Sequence, residues 1–159
     1  MTVNQDKTFK TAMSRFLTGV TIVSCYDKSG APYGLTVNSF ASVSLRPQLV
    51  LWSLIKDSTK YDDFCAAEGY SIALLAQDQS ELCMRFASNH DDRFEGISWE
   101  KGQHNLPVIQ GALSVLECHP YAQYDGGDHT IFVGEVKAIH NAEEDLAPLS
   151  YFAGKVNAL

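Results

Sequence analysis

Hydrophobic positions follow a helical period near the N-terminus and strand-like runs over most of the remaining chain. Phe9, Met13 and Phe16 recur at helical spacing, and Gly19 stands where a helix over residues 9–17 would end. Short runs rich in β-branched and aromatic residues then predict strands over residues 20–26, 33–37, 49–54, 70–76, 112–124 and 130–139. The pattern therefore predicts mainly β structure with few helices.

Turn and capping residues separate these runs. Residues 27–30 (Asp-Lys-Ser-Gly) and 125–128 (Asp-Gly-Gly-Asp) predict two hairpins, of which the second is the clearer. Ser58 is a candidate N-cap for a short helix through Ala67, and Asp78 with Glu81 resembles a capping box that opens a helix toward residue 87. Residues 89–105 are polar and lack periodicity, which is typical of a functional or partly helical segment.

Strands at short intervals with few helices indicate an antiparallel barrel with peripheral helices. The chain has 159 residues and a mass of 17.5 kDa, which suits a single domain over residues 1–159 that needs no disulfide or metal to hold its core. The sequence contains no repeat, no low-complexity tract and no linker.

Charge and hydropathy narrow the class of protein. Twelve Lys and Arg against nineteen Asp and Glu give a formal charge of −7, which disfavours binding to nucleic acid or to anionic membranes. No apolar run reaches the length of a membrane-spanning helix, and residues 1–10 lack the apolar stretch of a signal peptide. We therefore expect a cytoplasmic protein that binds neither nucleic acid nor membranes.

Motifs of several common enzyme classes are absent from the sequence. The four cysteines stand singly without a CxxC pair, and the five histidines form no HxxxH or HExxH pattern, so we expect no metal site. There is also no GxGxxG after a strand, no GxxxxGK[ST] and no GxSxG. These absences disfavour a Rossmann dinucleotide site, a P-loop kinase and a standard α/β-hydrolase.

Two segments carry polar groups suited to an oxygen-rich ligand. In the run over residues 36–44, Thr36 and Asn38 would share one face of a strand, with Val37 and Ser39 on the other face. In residues 53–59, Lys56 stands beside hydroxyl side chains near a predicted helix start, an arrangement that favours a phosphate.

Spacing alone also allows a simpler interpretation of these residues. A Ser/Thr-rich strand edge followed by an ordinary helix cap would show the same pattern around residues 36–59. His129, which follows Gly127 and Asp128, is by itself more typical of a surface histidine beside a turn. Neither segment therefore assigns a function without further information.

A series of short motifs adds that information. Residues 16–23 (Phe-Leu-Thr-Gly-Val-Thr-Ile-Val), residues 34–47 with Asn38-Ser39-Phe40 at their centre, Gly127-Asp128-His129, and residues 148–152 (Pro-Leu-Ser-Tyr-Phe) follow one another along the chain. In this order they resemble the short-chain flavin reductases, FMN-binding split-barrel proteins that serve as reductase components of two-component flavin monooxygenases. The resemblance extends over residues 9–155. Val156 departs from it, because an aromatic residue is common at that position.

The resemblance implies a mainly β fold, an antiparallel split β-barrel with peripheral helices, and two groups of flavin-binding positions. The first group, Thr36, Val37, Asn38 and Ser39, would hold the isoalloxazine edge and ribityl chain, largely through backbone groups. The second group, near the ring edge and the flavin phosphate, comprises Ser53, Leu54, Lys56 and Ser58. His129 would lie beside the nicotinamide or the flavin face as the catalytic residue. The resemblance also implies a homodimer, with the flavin near the subunit interface, and an oxygenase component that receives reduced flavin.

We therefore predict a flavin reductase in which NADH or NADPH reduces FMN or FAD by direct hydride transfer from nicotinamide C4 to flavin N5. The two cofactors supply the reactivity, which agrees with the lack of an evident nucleophile or general base. Two alternatives stay open: a protein that holds FMN as an electron carrier or ferric reductase, and a non-catalytic flavin-binding protein. The acidic composition and scattered basic residues favour NADH over NADPH.

Overall fold

The computed structural model describes residues 3–89, 92–143 and 145–158. The helices it describes are α1 (Val3–Met13), α2 (Tyr61–Ala66) and α3 (Ser80–Ala87). The strands are β1 (Thr18–Gly19), β2 (Thr21–Tyr26), β3 (Pro32–Val37), β4 (Ala41–Leu45), β5 (Gln48–Ile55), β6 (Tyr70–Leu74), β7 (Trp99–Lys101), β8 (Pro107–Ile109), β9 (Ser114–Gly126), β10 (His129–Asn141), β11 (Leu149–Phe152) and β12 (Lys155–Ala158). Strands dominate, as the sequence pattern predicts.

Seven strands form one antiparallel sheet in the order β3-β2-β6-β9-β10-β5-β4. β3 and β5 are far apart in this order, yet Val37 of β3 and Leu54 of β5 belong to the same buried cluster. The sheet must therefore curve until these strands face each other across a barrel. Its edge strands, β3 and β4, are joined by residues 38–40, and the barrel is open between them. The predicted antiparallel split barrel is confirmed.

Aromatic side chains fill the centre of the barrel. Trp52 stacks on Phe132 with ring centroids 4.5 Å apart, and the rings of Tyr70 and Phe64 meet Trp52 edge-on at 5.5 and 5.2 Å. All four side chains are fully buried, and burial of a ring of this size contributes about 2 kcal/mol or more. Because Phe64 is the buried residue of α2, this aromatic cluster also fixes the short helix to the barrel.

Both predicted hairpins are confirmed. In the turn between β2 and β3, the Asp27 carboxylate accepts a hydrogen bond from the Ser29 amide at 2.9 Å, and Gly30 has a φ of 82°. β9 and β10 pair along their full lengths; β9 lies two residues later than predicted and β10 is longer than predicted, so only Gly127 and Asp128 form their turn. Gly127 has a φ of 78°, which glycine adopts without the steric cost of a Cβ.

The N-terminal helix differs from the prediction. It spans Val3–Met13 rather than residues 9–17, so Phe16 and Leu17 lie beyond its end. The chain becomes extended immediately afterwards, because β1 pairs with β11 through Thr18 opposite Tyr151. Tertiary pairing therefore ends a helix that apolar spacing alone would continue.

The predicted cap at Ser58 is wrong. α2 begins at Tyr61, and no side chain caps it. Ser58 instead takes part in two consecutive tight turns: its amide donates to the carbonyl of Ile55 at 3.1 Å, and its carbonyl accepts from the amide of Tyr61 at 3.0 Å. The turns use the backbone of Ser58 before the helix starts.

The predicted capping box is also wrong. α3 begins at Ser80, the residue before it is Gln79, and no side-chain cap is present. The Gln79 side chain folds back to accept a hydrogen bond from the Ala76 amide at 3.0 Å. This contact with the end of the preceding segment takes the place of the predicted pair of Asp78 and Glu81.

Short strands account for the other differences. β1, β4, β7, β8, β11 and β12 were not predicted; each has two to five residues, and none forms a run of β-branched and aromatic residues as clear as that of β6. β7 lies within the segment at residues 89–105 that was expected to be irregular, and residues 90–91 of that segment lie outside the described residues. β1, β11 and β12 form a separate three-stranded sheet, in the order β1-β11-β12.

All four cysteines are free thiols. Burial raises the pKa of Cys25 and of Cys118 to about 12, so these thiols stay protonated at neutral pH. Among the described residues, no three or more His, Cys, Asp or Glu side chains form a group suited to a metal ion. The helices described are all too short or too polar to cross a membrane.

A buried carboxylate fastens the loop between β7 and β8 to the main sheet. Glu117 of β9 is fully buried, and it accepts hydrogen bonds from the amides of Gln103 and His104 at 2.7 and 2.8 Å. Its Oε1 also lies 2.7 Å from Nε2 of His140 on β10. Burial alone would raise the pKa of Glu117, but these hydrogen bonds outweigh it and hold the pKa below its usual value.

We expect Glu117→Gln to destabilise the fold by about 1–3 kcal/mol at neutral pH, because an amide N–H then faces a backbone donor in a buried place. Because folding lowers the pKa of Glu117, the carboxylate stabilises the folded state fully at pH values above the pKa of the unfolded chain, near 4.5. This stabilisation is lost as the pH falls through the lower pKa of the folded state. Urea unfolding at several pH values measures this. The exposed Glu100→Gln is the control, and equal stability of Glu117→Gln and wild type at neutral pH would contradict the role.

Candidate functional site

The opening of the barrel is bridged by a pair of serines. Ser39 follows β3, and its hydroxyl accepts a hydrogen bond from the amide of Ser53 at 2.9 Å and lies 3.2 Å from the Ser53 carbonyl, to which it donates. The ladder of β4 and β5 pairs Ala41 with Leu51, so the same register, continued by two residues, places Ser39 opposite Ser53. The side chain of Ser39 thus extends the ladder by one step and holds the chain after β3 against β5.

The residues just before Ser39 alternate as predicted. The side chain of Val37 is buried in the barrel, and its carbonyl accepts a hydrogen bond from the hydroxyl of Thr21 at 2.9 Å. Thr36 and Asn38 both line a groove on the outside of β3. Because β3 is an edge strand, alternate backbone amides and carbonyls along it lie at the free edge of the sheet, beside this groove.

Two features of β3 hold α3 against it. Gly34 has no side chain, and a Cβ at this position would lie 2.8 Å from the ring of Phe86 of α3. Two residues on, the hydroxyl of Thr36 donates to the carbonyl of Cys83 at 2.6 Å. The Gly-x-Thr sequence at residues 34–36 therefore sets the distance between the edge strand and the helix that forms the next wall of the groove.

The groove has a volume of about 950 Å³ and is built from three parts of the chain. One wall is β3, the second is α3 and the third is the hairpin of β11 and β12; the lining residues are Val20, Thr36, Asn38, Ser80, Glu81, Cys83, Met84, Ala87, Tyr151, Gly154, Lys155, Val156 and Asn157. Apolar side chains alternate with hydroxyl and amide groups over this surface. Such a mixture suits a flat ligand with apolar faces and a polar rim.

A second polar group lies where β5 meets the tip of the β9–β10 hairpin. His129 is opposite Ile55 in the ladder, and the amide of Lys56 donates to the carbonyl of Asp128 at 2.9 Å. Nδ1 of His129 lies 2.7 Å from Oδ1 of Asp128. This hydrogen bond lowers the pKa of Asp128 and orients the imidazole.

The ammonium of Lys56 is already engaged at this tip. It forms an ion pair with Asp125 and donates to the carbonyl of Gly127 at 2.6 Å. The ion pair raises the pKa of Lys56 and lowers that of Asp125. A phosphate at Lys56 would therefore share the ammonium with Asp125 or displace it.

The predicted positions thus fall into five places. Thr36 and Asn38 line the groove, Ser39 and Ser53 bridge the barrel opening, and Lys56 and His129 meet at the hairpin tip. The side chains of Val37 and Leu54 belong to the core, the carbonyl of Val37 accepts from Thr21, and Ser58 lies in the turn before α2. β5 connects the second place to the third, from Ser53 to Lys56.

Sequence reasoning missed the walls formed by α3 and the β11–β12 hairpin. Glu81, Met84, Lys155 and Asn157 line the groove, although they lie far from Thr36 in sequence. The signals in this region were the motif at residues 148–152, which contains Tyr151, and the departure noted at Val156, and both of these residues do line the groove.

Another cavity, of about 580 Å³, lies at the opposite end of β2 and β3. Tyr26, His104 and His119 are among its lining residues, and the two imidazole rings meet edge-on with centroids 5.2 Å apart. None of the predicted site residues lines this cavity. The groove is therefore the better candidate for the functional site.

Comparison with known sequences identifies related proteins. Residues 13–159 match the family model described as a flavin reductase like domain. The chain is 44% identical over 149 residues to FMN reductase (NADH) SmoA of Agrobacterium fabrum, an alignment that covers 94% of this chain and 83% of that protein. It is 39% identical over 152 residues to the reductase component of the flavin-dependent trigonelline monooxygenase of Acinetobacter baylyi, covering 96% of this chain but only 48% of that protein.

Solved structures show the same similarity in three dimensions. The NADH:FAD oxidoreductase SgcE6 of Streptomyces globisporus, in complex with NAD and FAD fragments, has a TM-score of 0.91 at 32% identity, over 100% of this chain and 96% of that one. Flavin reductase PheA2 has a TM-score of 0.88 at 37% identity, over 97% of both chains. The likeness therefore includes the barrel and the segments that form the groove.

Proposed function

The chain belongs to the flavin reductase-like family, and from this membership we propose that it transfers a hydride from NADH to FMN or FAD. The observation that carries the proposal is the 44% identity to a protein named FMN reductase (NADH), together with a family match over residues 13–159. Residues 1–159 would form one domain that acts in the cytoplasm, where NADH is available. Reduced flavin would pass to an oxygenase component, the kind of partner implied by the name of the trigonelline monooxygenase reductase.

The residues of the groove fit an isoalloxazine ring. Tyr151, Met84 and Val156 offer apolar surface to the faces of a flat ring, while Asn38 and the outward backbone groups of β3 offer donors and acceptors to its pyrimidine edge. When bound, the flavin supplies the hydride acceptor and the reduced nicotinamide the donor. The chain binds and orients the two rings and excludes water from between them.

The described residues that line the groove include no reactive nucleophile, which agrees with a reaction in which the two cofactors react and the protein binds and orients them. Burial raises the pKa of Cys83, the thiol of the groove, so it remains protonated at neutral pH. The hydroxyl of Thr36 is committed as a donor to the carbonyl of Cys83 and can only accept a further hydrogen bond. These residues serve recognition rather than covalent chemistry.

We propose a homodimer, because apolar side chains at the N-terminal end of the chain are left without cover. Phe9, Met13, Phe16 and Leu17 are 65, 53, 70 and 48% exposed, and Phe152 of β11 is 44% exposed. The amide of Ala153 donates to the carbonyl of Ser14 at 2.8 Å, which ties the end of α1 to the hairpin that forms one wall of the groove. A second copy that covered these side chains would lie beside the site.

The direct test uses the purified chain. We expect it to oxidise NADH only when FMN or FAD is added, or to carry bound flavin and do so unaided, and light scattering should give about twice the monomer mass of 17.5 kDa. A yellow protein inert to NADH and NADPH would indicate the electron carrier instead. A colourless protein inert with every flavin would indicate the non-catalytic alternative, and a monomeric mass would contradict the dimer.

His129 is proposed to orient the nicotinamide or to balance charge as reduced flavin forms. We expect His129→Ala to lower kcat/KM for NADH by about tenfold, the loss of one charge-assisted hydrogen bond, with flavin binding mostly kept. Initial rates over a range of NADH concentrations measure this. His119→Ala, an exposed histidine in the other cavity, is the matched control, and unchanged rates for His129→Ala would remove the residue from the mechanism.

Lys56 is proposed to bind the flavin phosphate in competition with Asp125. Lys56→Ala should weaken FMN binding by about tenfold but leave riboflavin, which has no phosphate, nearly unchanged. The difference should shrink as salt is raised, because the site is exposed. Asp125→Asn, which frees the ammonium, should strengthen FMN binding. Fluorescence titrations measure both, and equal weakening of FMN and riboflavin by Lys56→Ala would show that Lys56 does not bind the phosphate.

A further inference from the structure

The groove contains a cation that the predicted site did not include. Lys155, the first residue of β12, follows Gly154 in the tight turn between β11 and β12 and lines the groove at its exposed rim. Within the described part of the chain, its ammonium has no ion pair and no hydrogen-bond partner. Its backbone is fixed by pairing with Phe152 across the hairpin, so the lysine is held at the rim by a rigid element.

Several other cations of the described chain are engaged elsewhere. Lys56 pairs with Asp125, and Lys60 pairs with Asp27 and Asp63. Arg85 and Arg93 donate their guanidinium hydrogens to backbone carbonyls of the segment that follows α3. Among the described residues that line the groove, Lys155 is the one Lys or Arg, and it is therefore the cation available to a ligand there.

The charge of Lys155 is not neutralised within the groove. Glu81 of α3 is the carboxylate among the lining residues, and it forms no ion pair with Lys155 in the described structure. The whole chain carries a formal charge of −7, so an anionic substrate meets an unfavourable field except where a local cation compensates it. An unpaired ammonium at the rim provides that compensation for a substrate that carries phosphate.

Dinucleotide substrates carry negative charge that an ammonium at the rim of the groove attracts. A volume of about 950 Å³ is near the upper end for small-molecule sites, so the groove has room for more than one ring system. NADH and FAD each carry a pyrophosphate between their two nucleosides. This pyrophosphate is a different group from the flavin 5′-phosphate of FMN, for which Lys56 at the hairpin tip is proposed. We propose that Lys155 binds the pyrophosphate of a dinucleotide substrate, NADH or FAD, an inference that rests on the proposed function.

Equilibrium titrations without turnover test this assignment. Lys155→Met removes the charge and keeps the apolar stem of the side chain. It should weaken the binding of FAD or NADH by about tenfold, while FMN and reduced nicotinamide riboside, which lack the pyrophosphate, bind as they do to wild type. FAD is compared with FMN by flavin fluorescence, and NADH with reduced nicotinamide riboside by nicotinamide fluorescence. Lys155→Arg, which retains the charge, should bind as wild type does. Lys28→Met, the same charge change in the turn between β2 and β3, should have no effect.

Each outcome decides the proposal. Weakening of FAD but not FMN assigns the pyrophosphate of FAD, and weakening of NADH but not of the riboside assigns that of NADH. No change in either dinucleotide, or equal weakening of FMN and FAD, overturns the role of Lys155. A circular dichroism spectrum and melting temperature like those of wild type establish that the variant is folded, and Lys155→Gln repeats the test if they differ. Because the titrations need no turnover, a wild-type chain that fails to oxidise NADH would refute the proposed function separately.

Discussion

Packing around Trp52 holds together strands that are distant in the order of the sheet. The indole lies between the rings of Phe132, Tyr70 and Phe64, and the same cluster includes Val37 from the opposite edge. A sheet can enclose such a cluster only if it curves, and in this chain it curves without closing. The edge strands β3 and β4 are consecutive in the chain but are not neighbours in the sheet, and the groove of the candidate site runs along β3, one border of the opening between them.

The open edge gives the site its chemistry. Backbone groups on the outer side of β3 are free of the sheet ladder, and Ser39 keeps the segment after β3 in a fixed position by bonding to Ser53. Gly34 and Thr36 set α3 beside that edge. The result is a groove with rigid walls and few reactive side chains, as a protein needs when two bound cofactors exchange a hydride and the chain supplies only position and shielding.

Local signals predicted the parts of the fold that depend on local structure. The turns at residues 27–30 and at Gly127 require particular residues, and both hairpins are present where the sequence placed them. The cap at Ser58 failed because the carbonyl of Ser58 already accepts from the Tyr61 amide in a backbone turn, and the one at Asp78 failed because α3 begins two residues later, at Ser80. The pairing of Lys56 with Asp125 and the walls of α3 and β12 join residues far apart in sequence, and no spacing rule contains that information.

The central claim is that this chain passes a hydride from NADH to a flavin held in the groove beside β3. Anaerobic mixing of the chain with NADH and FMN, followed by rapid recording of the nicotinamide and flavin absorbances, tests it most directly. We expect the two absorbances to fall together, one flavin reduced for each NADH oxidised, at a rate that rises with protein concentration. Loss of neither absorbance above the rate without protein would contradict the account.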